Sequence, residues 1–186
     1  MFEETPMNTT PVLLAFAWGH RNGEPGISNE DLGAYAVAHW DEYPYHSLQS
    51  EIARAVREWG KIAEYEITGL ALKQVHSRDS VLIVRGHLNG LVSAGYDLAR
   101  LEYHILCKEE HGLACMWFLQ KELHARGIHR SLIVRMPAVV RFDPRSSQWY
   151  TRTPVKVWIY KVCRGIESVL RGHIHIGDVL QLIRRK

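Results

Sequence analysis

The chain lacks any apolar stretch long enough to cross a membrane. Its first apolar run spans residues 12–18, only seven residues, whereas a membrane helix needs about 20. The first six residues include Glu3 and Glu4 and no cation, so they also lack the positive region that opens a secretory signal. From these absences we predict a cytoplasmic protein with no membrane partner.

Cysteine is scarce: Cys107, Cys115 and Cys163 are its three occurrences, and no CxxC spacing is present. On the helix that we predict for this region, Cys107 and Cys115 lie about two turns apart. That separation is too large for a disulfide. We therefore predict three reduced thiols, most of them buried, as free cysteines usually are.

The signatures of several common enzyme classes are also missing. The chain contains no GxGxxG or P-loop for phosphates, no HExxH for zinc and no GxSxG for a nucleophilic serine. The run Glu109, Glu110 and His111 resembles a metal cluster, but neighbouring helical side chains point in different directions. His173 and His175 share one side of a predicted strand without a third ligand. The sequence therefore predicts no metal site, and it identifies no cofactor.

What is present is the composition of an ordinary globular protein. The 186 residues are 46% hydrophobic and 23% charged, which excludes wholesale disorder and suits one domain over residues 1–186. The charge is unevenly divided: residues 1–120 carry 9 basic and 16 acidic side chains, whereas residues 121–186 carry 14 and 4. A basic C-terminal third is typical of proteins that bind an anionic ligand, nucleic acid or a membrane surface. The alternative is that the two parts complement each other within one fold.

Short apolar runs alternate with helical patterns along the chain. Unbroken runs at residues 12–18, 81–84 and 131–134 predict strands that are buried on both faces. The segment 96–126 reads mostly as helix with a break near His111, and 155–170 reads as an amphipathic helix. Cap and turn signals predict three further elements: a helix from Ser28 or Asn29, a short strand at 45–49 and a helix opened by Ser50.

This alternation favours βαβ units. We therefore predict an α/β fold of three layers, with a mainly parallel sheet and helices on both faces, as in Rossmann-like proteins. Ligands of such sheets usually bind beyond the carboxyl ends of the strands. The three strongest predicted strands deliver three loops to that edge, at residues 19–26, 85–90 and 135–141.

The first of these loops carries most of the candidate site. Gly19 and Gly23 would let its backbone approach an anion closely, and the helix that follows would add N–H donors and a positive dipole. His20 comes at the end of the first strand, and Glu51 opens a helix after the short second strand. We predict these two as the proton-transfer residues.

Arg135 and Arg141 follow the third predicted strand and are the candidate anion clamps. The six residues together predict a site for a small anionic or nucleotide-like molecule. If the site is catalytic, a transferase or hydrolase of phosphorylated or nucleotide-like compounds fits best. Neither the reaction nor the oligomeric state follows from the sequence.

The alternative hypothesis is a non-enzymatic module whose basic C-terminal third binds nucleic acid or an acidic partner. Basic side chains there alternate with Trp149, Tyr150, Trp158 and Tyr160, a pattern typical of binding to single-stranded nucleic acid. Trp158, however, falls on the apolar stripe of the predicted helix at 155–170, so we expect it in the core.

Several segments resemble the SanA/YdcF-like family of Rossmann-like proteins. The resemblance covers residues 13–172 and rests on the first strand entering Gly19 and His20, the helix begun at Glu51 and the closing stretch 147–152. It implies the same fold and carries Glu51 and Arg141 over as site residues. The family's histidine after the late strand has no counterpart in this chain, so the resemblance implies the fold more than any activity.

Overall fold

The computed structural model describes residues 9–21, 24–67 and 77–170. In these residues five strands form one sheet in the order β3-β2-β1-β4-β5, and every neighbouring pair is parallel. The strands are β1 (Thr10–Ala15), β2 (His46–Gln49), β3 (Tyr65–Ile67), β4 (Leu101–Leu106) and β5 (Leu132–Arg135).

Five α-helices accompany the sheet in the same part of the chain. They are α1 (Gly26–Ala38), α2 (Ser50–Arg57), α3 (Ser77–Ser93), α4 (Glu109–Ala125) and α5 (Pro154–Leu170). Three short 3₁₀ turns occupy Trp40–Glu42, Leu98–Arg100 and Trp149–Thr151. The predicted α/β fold is confirmed.

The central strand β1 is buried on both faces, which explains its unbroken apolar run. Val12 and Leu14 pack into a core formed with α3 and α4. Leu13 and Ala15 point the other way, into a core formed with α1 and α2. Because successive side chains of a strand alternate between faces, only a continuous apolar sequence fills both cores.

The prediction of a strand at residues 81–84 is wrong, because this run lies inside α3. Val84, Leu88 and Leu91 recur at helical spacing and are fully buried, whereas Leu82 is largely exposed. A four-residue apolar run fits a helix as well as a strand. The predicted loop at 85–90 is therefore helical too.

Strand β4, next to β1 in the sheet, lies in a segment that we predicted as helix. Its sequence alternates: Leu101, Tyr103 and Ile105 are buried in the core with α3 and α4, and Glu102 and His104 face the other side, where His104 Nε2 lies 2.7 Å from Glu102 Oε1. This period of two is the signal of a strand. The helix α4 then begins at Glu109, close to the predicted break.

Two predicted burials at the C-terminal end of the described chain are also wrong. Strand β5 is an edge of the described sheet rather than a buried strand, and Leu132 is 52% exposed. In α5, Trp158 is 66% exposed, while Val157 is buried. The helix therefore presents a different face to the protein than its apolar stripe predicts. His173 and His175 lie outside the described residues.

The strand order places a topological switch between β1 and β4. From β1 the chain runs outward through α1 to β2, on one face of the sheet, whereas β4 is followed by α4 on the opposite face. The carboxyl ends of β1 and β4 are adjacent, because Ala15 pairs with Leu106. Crevices at such points are the usual ligand sites of open parallel sheets.

Helices α1 and α2 pack closely at Gly33. A Cβ atom added there would lie 2.8 Å from the Cβ of Ala55, a distance that forces the helices apart.

We expect Gly33→Ala to lower the free energy of unfolding by about 1–3 kcal/mol, measured by urea denaturation. The matched control is Gly86→Ala in α3, where the nearest atom is 3.4 Å away. That variant is expected to gain up to about 1 kcal/mol from helix propensity. Equal effects in the two variants would show that α1 and α2 do not meet as described.

The core beneath α3 contains a polar pair. Ser47 Oγ and His87 Nδ1 lie 2.7 Å apart, and both residues are buried. The Nε2 atom of His87 is buried without a hydrogen-bond partner among the described residues. Because burial disfavours the charged imidazole, it lowers the pKa of His87 from 6.5 to about 3.

This histidine makes stability depend on pH. The folded state resists protonation down to about pH 3, whereas the unfolded chain takes up a proton near 6.5. The stability that this histidine contributes is thus fully present above pH 6.5 and is lost as the pH falls toward 3, by about 1.4 kcal/mol per pH unit for this proton.

We expect His87→Gln to reduce the slope of the free energy of unfolding against pH, measured by urea denaturation at pH 7, 6 and 5. An unaltered slope in His87→Gln contradicts the assignment.

Candidate functional site

The loop after β1 is held by its own hydrogen bonds. Trp18 N donates to Asn29 Oδ1 at 2.8 Å, and Asn29 Nδ2 donates to the carbonyls of Gly19 and Pro25. Gly19 has a φ of 69°, and a Cβ there would lie 2.7 Å from the hydroxyl oxygen of Thr151. The glycine is therefore required by the backbone conformation and by close packing against residues 146–151.

The N-terminus of α1 already holds a carboxylate. Asp143 is buried and accepts hydrogen bonds from Arg21 Nε at 2.7 Å, from Arg21 Nη2 at 3.0 Å and from Ile27 N at 3.3 Å. Burial alone would raise the pKa of Asp143, but these donors and Arg145 N outweigh burial and hold the pKa below its usual value. A Cβ at Gly26 would lie 2.4 Å from Asp143 Oδ2. The protein's own side chain thus occupies the place where a helix terminus would bind an anion.

The two predicted proton-transfer residues both lie near the carboxyl edge, on different elements. The carbonyl of His20 accepts a hydrogen bond from Ser147 N at 2.7 Å, which ties the first loop to the segment before α5. Glu51 is buried in the first turn of α2, and its carboxylate accepts from Ser50 Oγ at 3.1 Å. Their catalytic roles stay predictions. Gly23 lies outside the described residues.

Arg141 is engaged in an ion pair with α1. Its Nη2 lies 2.6 Å from Asp31 Oδ1, and its Nε and backbone N also donate to the same carboxylate. Burial works to raise the pKa of Asp31, but the bonds from Arg141 outweigh it and lower the pKa. This pairing joins residues 110 positions apart and fixes the loop after β5 onto α1.

A cavity of about 380 Å³ opens between the carboxyl ends of β4 and β5. Its polar wall is the start of α4, with Lys108, Glu109 and Glu110, and its other wall is formed by residues 136–140 and 142. The apolar side chains in that wall are Met136, Pro137, Ala138, Val139, Val140 and Phe142. Of the predicted site residues that the structure describes, Arg135 is the one that lines it.

Lys108 is the least exposed charged side chain of this cavity, at 4%. Its Nζ lies 3.8 Å from the centre of the Phe142 ring and 3.9 Å from Glu110 Oε2, and it donates to the carbonyl of Val140. Burial lowers the pKa of Lys108 below its ordinary value, although Glu110, Asp31 and Glu109 work in the opposite direction. A buried amine with a lowered pKa is a common feature of functional sites.

Arg135 reaches the cavity across Gly112. A Cβ on that glycine would lie 2.6 Å from Arg135 Cδ, so the absent side chain makes room for the arginine stem. The Arg135 Nη1 atom lies 3.8 Å from Glu109 Oε1, and the arginine side chain is 37% exposed. An exposed ion pair at this distance contributes little energy, so the guanidinium can exchange Glu109 for a ligand.

Lys108 is not among the predicted site residues, because the sequence did not predict strand β4, which precedes it. A lysine two residues after a parallel strand, directly before a helix, is placed at the carboxyl edge by its position alone. The alternation in residues 101–106 was the signal that would have found it.

The thiols of Cys107 and Cys115 are brought together, contrary to the separation expected for one helix. Cys107 follows β4 and Cys115 lies in α4, and their side chains are hydrogen-bond neighbours. Burial and the neighbouring thiol raise the pKa of Cys115. Both cysteines are free and buried, as predicted, whereas Cys163 is exposed.

Nothing in the described ranges forms a metal centre: no group of three or more His, Cys, Asp or Glu side chains converges there. His111, which the sequence offered as a ligand, is half-buried, and its ring lies 5.5 Å from that of Trp18. Burial, with a contribution from Lys161, lowers the pKa of His111 to about 4.

Removing the carboxylate at the α1 terminus is expected to create an anion-dependent protein. In Asp143→Ala, Arg21 and Ile27 N lose their acceptor, so we expect the melting temperature to fall by several degrees. Added acetate or phosphate is expected to restore part of the loss, because either anion fits the vacated position. Differential scanning fluorimetry measures both effects. Asp41→Ala, which removes an exposed carboxylate, is expected to show neither; a Tm loss in Asp143→Ala without rescue contradicts the assignment.

Comparisons with known proteins give no relative: no family model, no curated protein and no solved structure matches the chain. Among the helices in the described residues, none is long and apolar enough to span a bilayer. Membership of the SanA/YdcF-like family stays a prediction.

Proposed function

We propose that the protein binds a small anionic or nucleotide-like ligand in the cavity between β4 and β5. The observation that carries this proposal is the pairing of a buried cation, Lys108, with a half-exposed one, Arg135, on a cavity beside the topological switch. Ligand sites of small molecules combine a mostly apolar concave surface with a few polar groups that fix orientation.

The size and chemistry of the walls support a small ligand. A volume of about 380 Å³ lies at the lower end of the range usual for small-molecule sites. Met136, Ala138 and Val140 offer apolar contact on one side, while the first turn of α4 points its positive dipole at the other. A phosphate or carboxylate attached to a small apolar body fits both walls.

The acidic side chains at the rim set the selectivity. Glu109 and Glu110 stand in the first turn of α4, beside the two cations. A ligand therefore needs a charged group that competes with them for Arg135 and Lys108. Neutral molecules cannot compete in this way, so the site favours anions.

The basic C-terminal third does not favour the nucleic-acid alternative. Several of its cations are engaged inside the chain: Arg141 with Asp31, Arg152 Nε with the Ser146 carbonyl, and Lys161 Nζ with the Glu110 carbonyl. The bonds of Arg141 and Lys161 tie the C-terminal segments to α1 and α4, and that of Arg152 lies within the C-terminal third.

Isothermal titration calorimetry with inorganic pyrophosphate and with AMP tests the proposal. We expect Lys108→Met and Arg135→Ala each to weaken binding by about tenfold or more, the loss typical of one charge-assisted contact. Lys121→Met and Arg100→Ala are matched controls, because Lys121 lies over Trp117 and Arg100 precedes β4 at the opposite edge of the sheet. Both controls are expected to bind like the wild type.

A third variant moves a cation without removing it. Gly112→Ala places a Cβ against Arg135 Cδ and displaces the guanidinium, so binding is expected to weaken while the melting temperature holds. Absence of binding in the wild type, or equal affinity in Lys108→Met, Arg135→Ala and their controls, would remove the proposal.

A further inference from the structure

We infer that the Lys108 amine forms an imine with a small anionic aldehyde or ketone bound in the cavity. The inference rests on the proposed function, since the anionic group of the ligand must be held at Arg135 for the carbonyl to meet the amine. The geometry that points to it is an amine and a carboxylate facing one cavity with apolar walls.

The fold fixes where the amine lies. Lys108 follows β4 and immediately precedes α4, and its carbonyl accepts hydrogen bonds from His111 N at 2.9 Å and Gly112 N at 3.1 Å. Its side chain is almost fully buried, in contrast with an ordinary surface lysine. A nucleophile on rigid elements pays little entropy when a carbonyl is presented to it.

The apolar wall favours the reactive form of this amine. The Phe142 ring and the segment around Val140 cover the ammonium group. Only a neutral amine attacks a carbonyl, and desolvation increases the neutral fraction, in line with the lowered pKa of Lys108.

Glu110 supplies a proton carrier. Its Oε2 atom lies 3.9 Å from Lys108 Nζ and is buried without a hydrogen-bond partner in the part of the chain that the structure describes. A carboxylate in this position accepts a proton from the ammonium and later returns it to a departing oxygen.

The reaction needs no oxidant, reductant or metal. The Lys108 ammonium gives a proton to Glu110, and the neutral nitrogen adds to the carbonyl carbon. A proton then passes from this nitrogen to the former carbonyl oxygen, which gives a neutral carbinolamine and leaves Glu110 protonated. Protonation of that hydroxyl by Glu110 lets it leave as water, and loss of the remaining N–H proton to solvent gives the imine. One amine and one carbonyl thus yield one imine and one water.

Pyridoxal phosphate, an anionic aldehyde, is a suitable probe. The intact protein is incubated with the probe and sodium cyanoborohydride, which reduces an imine to a stable secondary amine, and the labelled lysines are mapped by mass spectrometry. We expect Lys108 to be labelled well ahead of the lysines at 61, 121 and 161, and pyrophosphate to slow its labelling.

Three variants separate the chemistry from folding and from anion binding. Lys108→Arg keeps a positive charge but has no primary amine, so it is expected to lose the label at position 108 while its melting temperature holds. Glu110→Gln is expected to slow labelling by about a hundredfold, because the proton carrier is lost, while pyrophosphate binding tightens, because a competing carboxylate is removed. Lys121→Arg is the control and is expected to be labelled at Lys108 like the wild type.

The outcomes are distinct. Pyrophosphate binding with no preferential label at Lys108, or a label that pyrophosphate does not slow, overturns the imine and leaves the proposed function in place. Absence of both binding and label removes both proposals. Labelling at an unchanged rate in Glu110→Gln overturns the role of Glu110.

Discussion

The pairing of β1 with β4 is the contact on which the other features depend. Six residue pairs join the two strands, from Thr10 with Leu101 to Ala15 with Leu106, the longest ladder in the described sheet. It sets the switch in direction, since α1 and α4 leave from neighbouring strand ends on opposite faces. It also divides the molecule into two apolar cores that share β1 as their common wall.

At that switch, the N-termini of α1 and α4 have different surroundings. The start of α1 is closed by the Asp143 carboxylate and its ion pair with Arg21. The start of α4 adjoins the open cavity with Lys108 at its floor. One terminus is satisfied from within the chain, whereas the other borders an open cavity, and for this reason we propose the ligand site on the β4–β5 side rather than on the β1 side.

The sequence predicted those elements whose local pattern agrees with their surroundings. Strand β1 is continuous and apolar because it is buried on both faces. Helix α2 begins at Ser50, the residue at which the sequence predicts its start. Helix α3 was not predicted, because an apolar run as short as residues 81–84 does not distinguish a buried strand from part of a helix. In β4, Glu102 and His104 interrupt the apolar run, so the alternating pattern was read as part of a helix.

The candidate site divides in the same way. Arg135 could be predicted because it lies at the carboxyl end of a strand, which is a local property of the sequence. The pairing of Arg141 with Asp31 and of Arg21 with Asp143 was not, because each joins segments more than a hundred residues apart and charge complementarity over such distances has no local sign. Lys108 could not be predicted as a site residue, because the strand that precedes it was not predicted.

The same separation bears on how the chain is made. Strand β1 is complete early in synthesis, yet its partner β4 begins 91 residues later, as the pairing of Thr10 with Leu101 shows. The carboxylate that closes the α1 terminus arrives 122 residues after Arg21. During translation the N-terminal half therefore leaves the ribosome with one side of its central strand unpaired and one helix terminus open. Long loop closures of this kind slow folding and extend the time for which apolar strand edges are exposed, and the α1 terminus can be closed only after residue 143 has emerged.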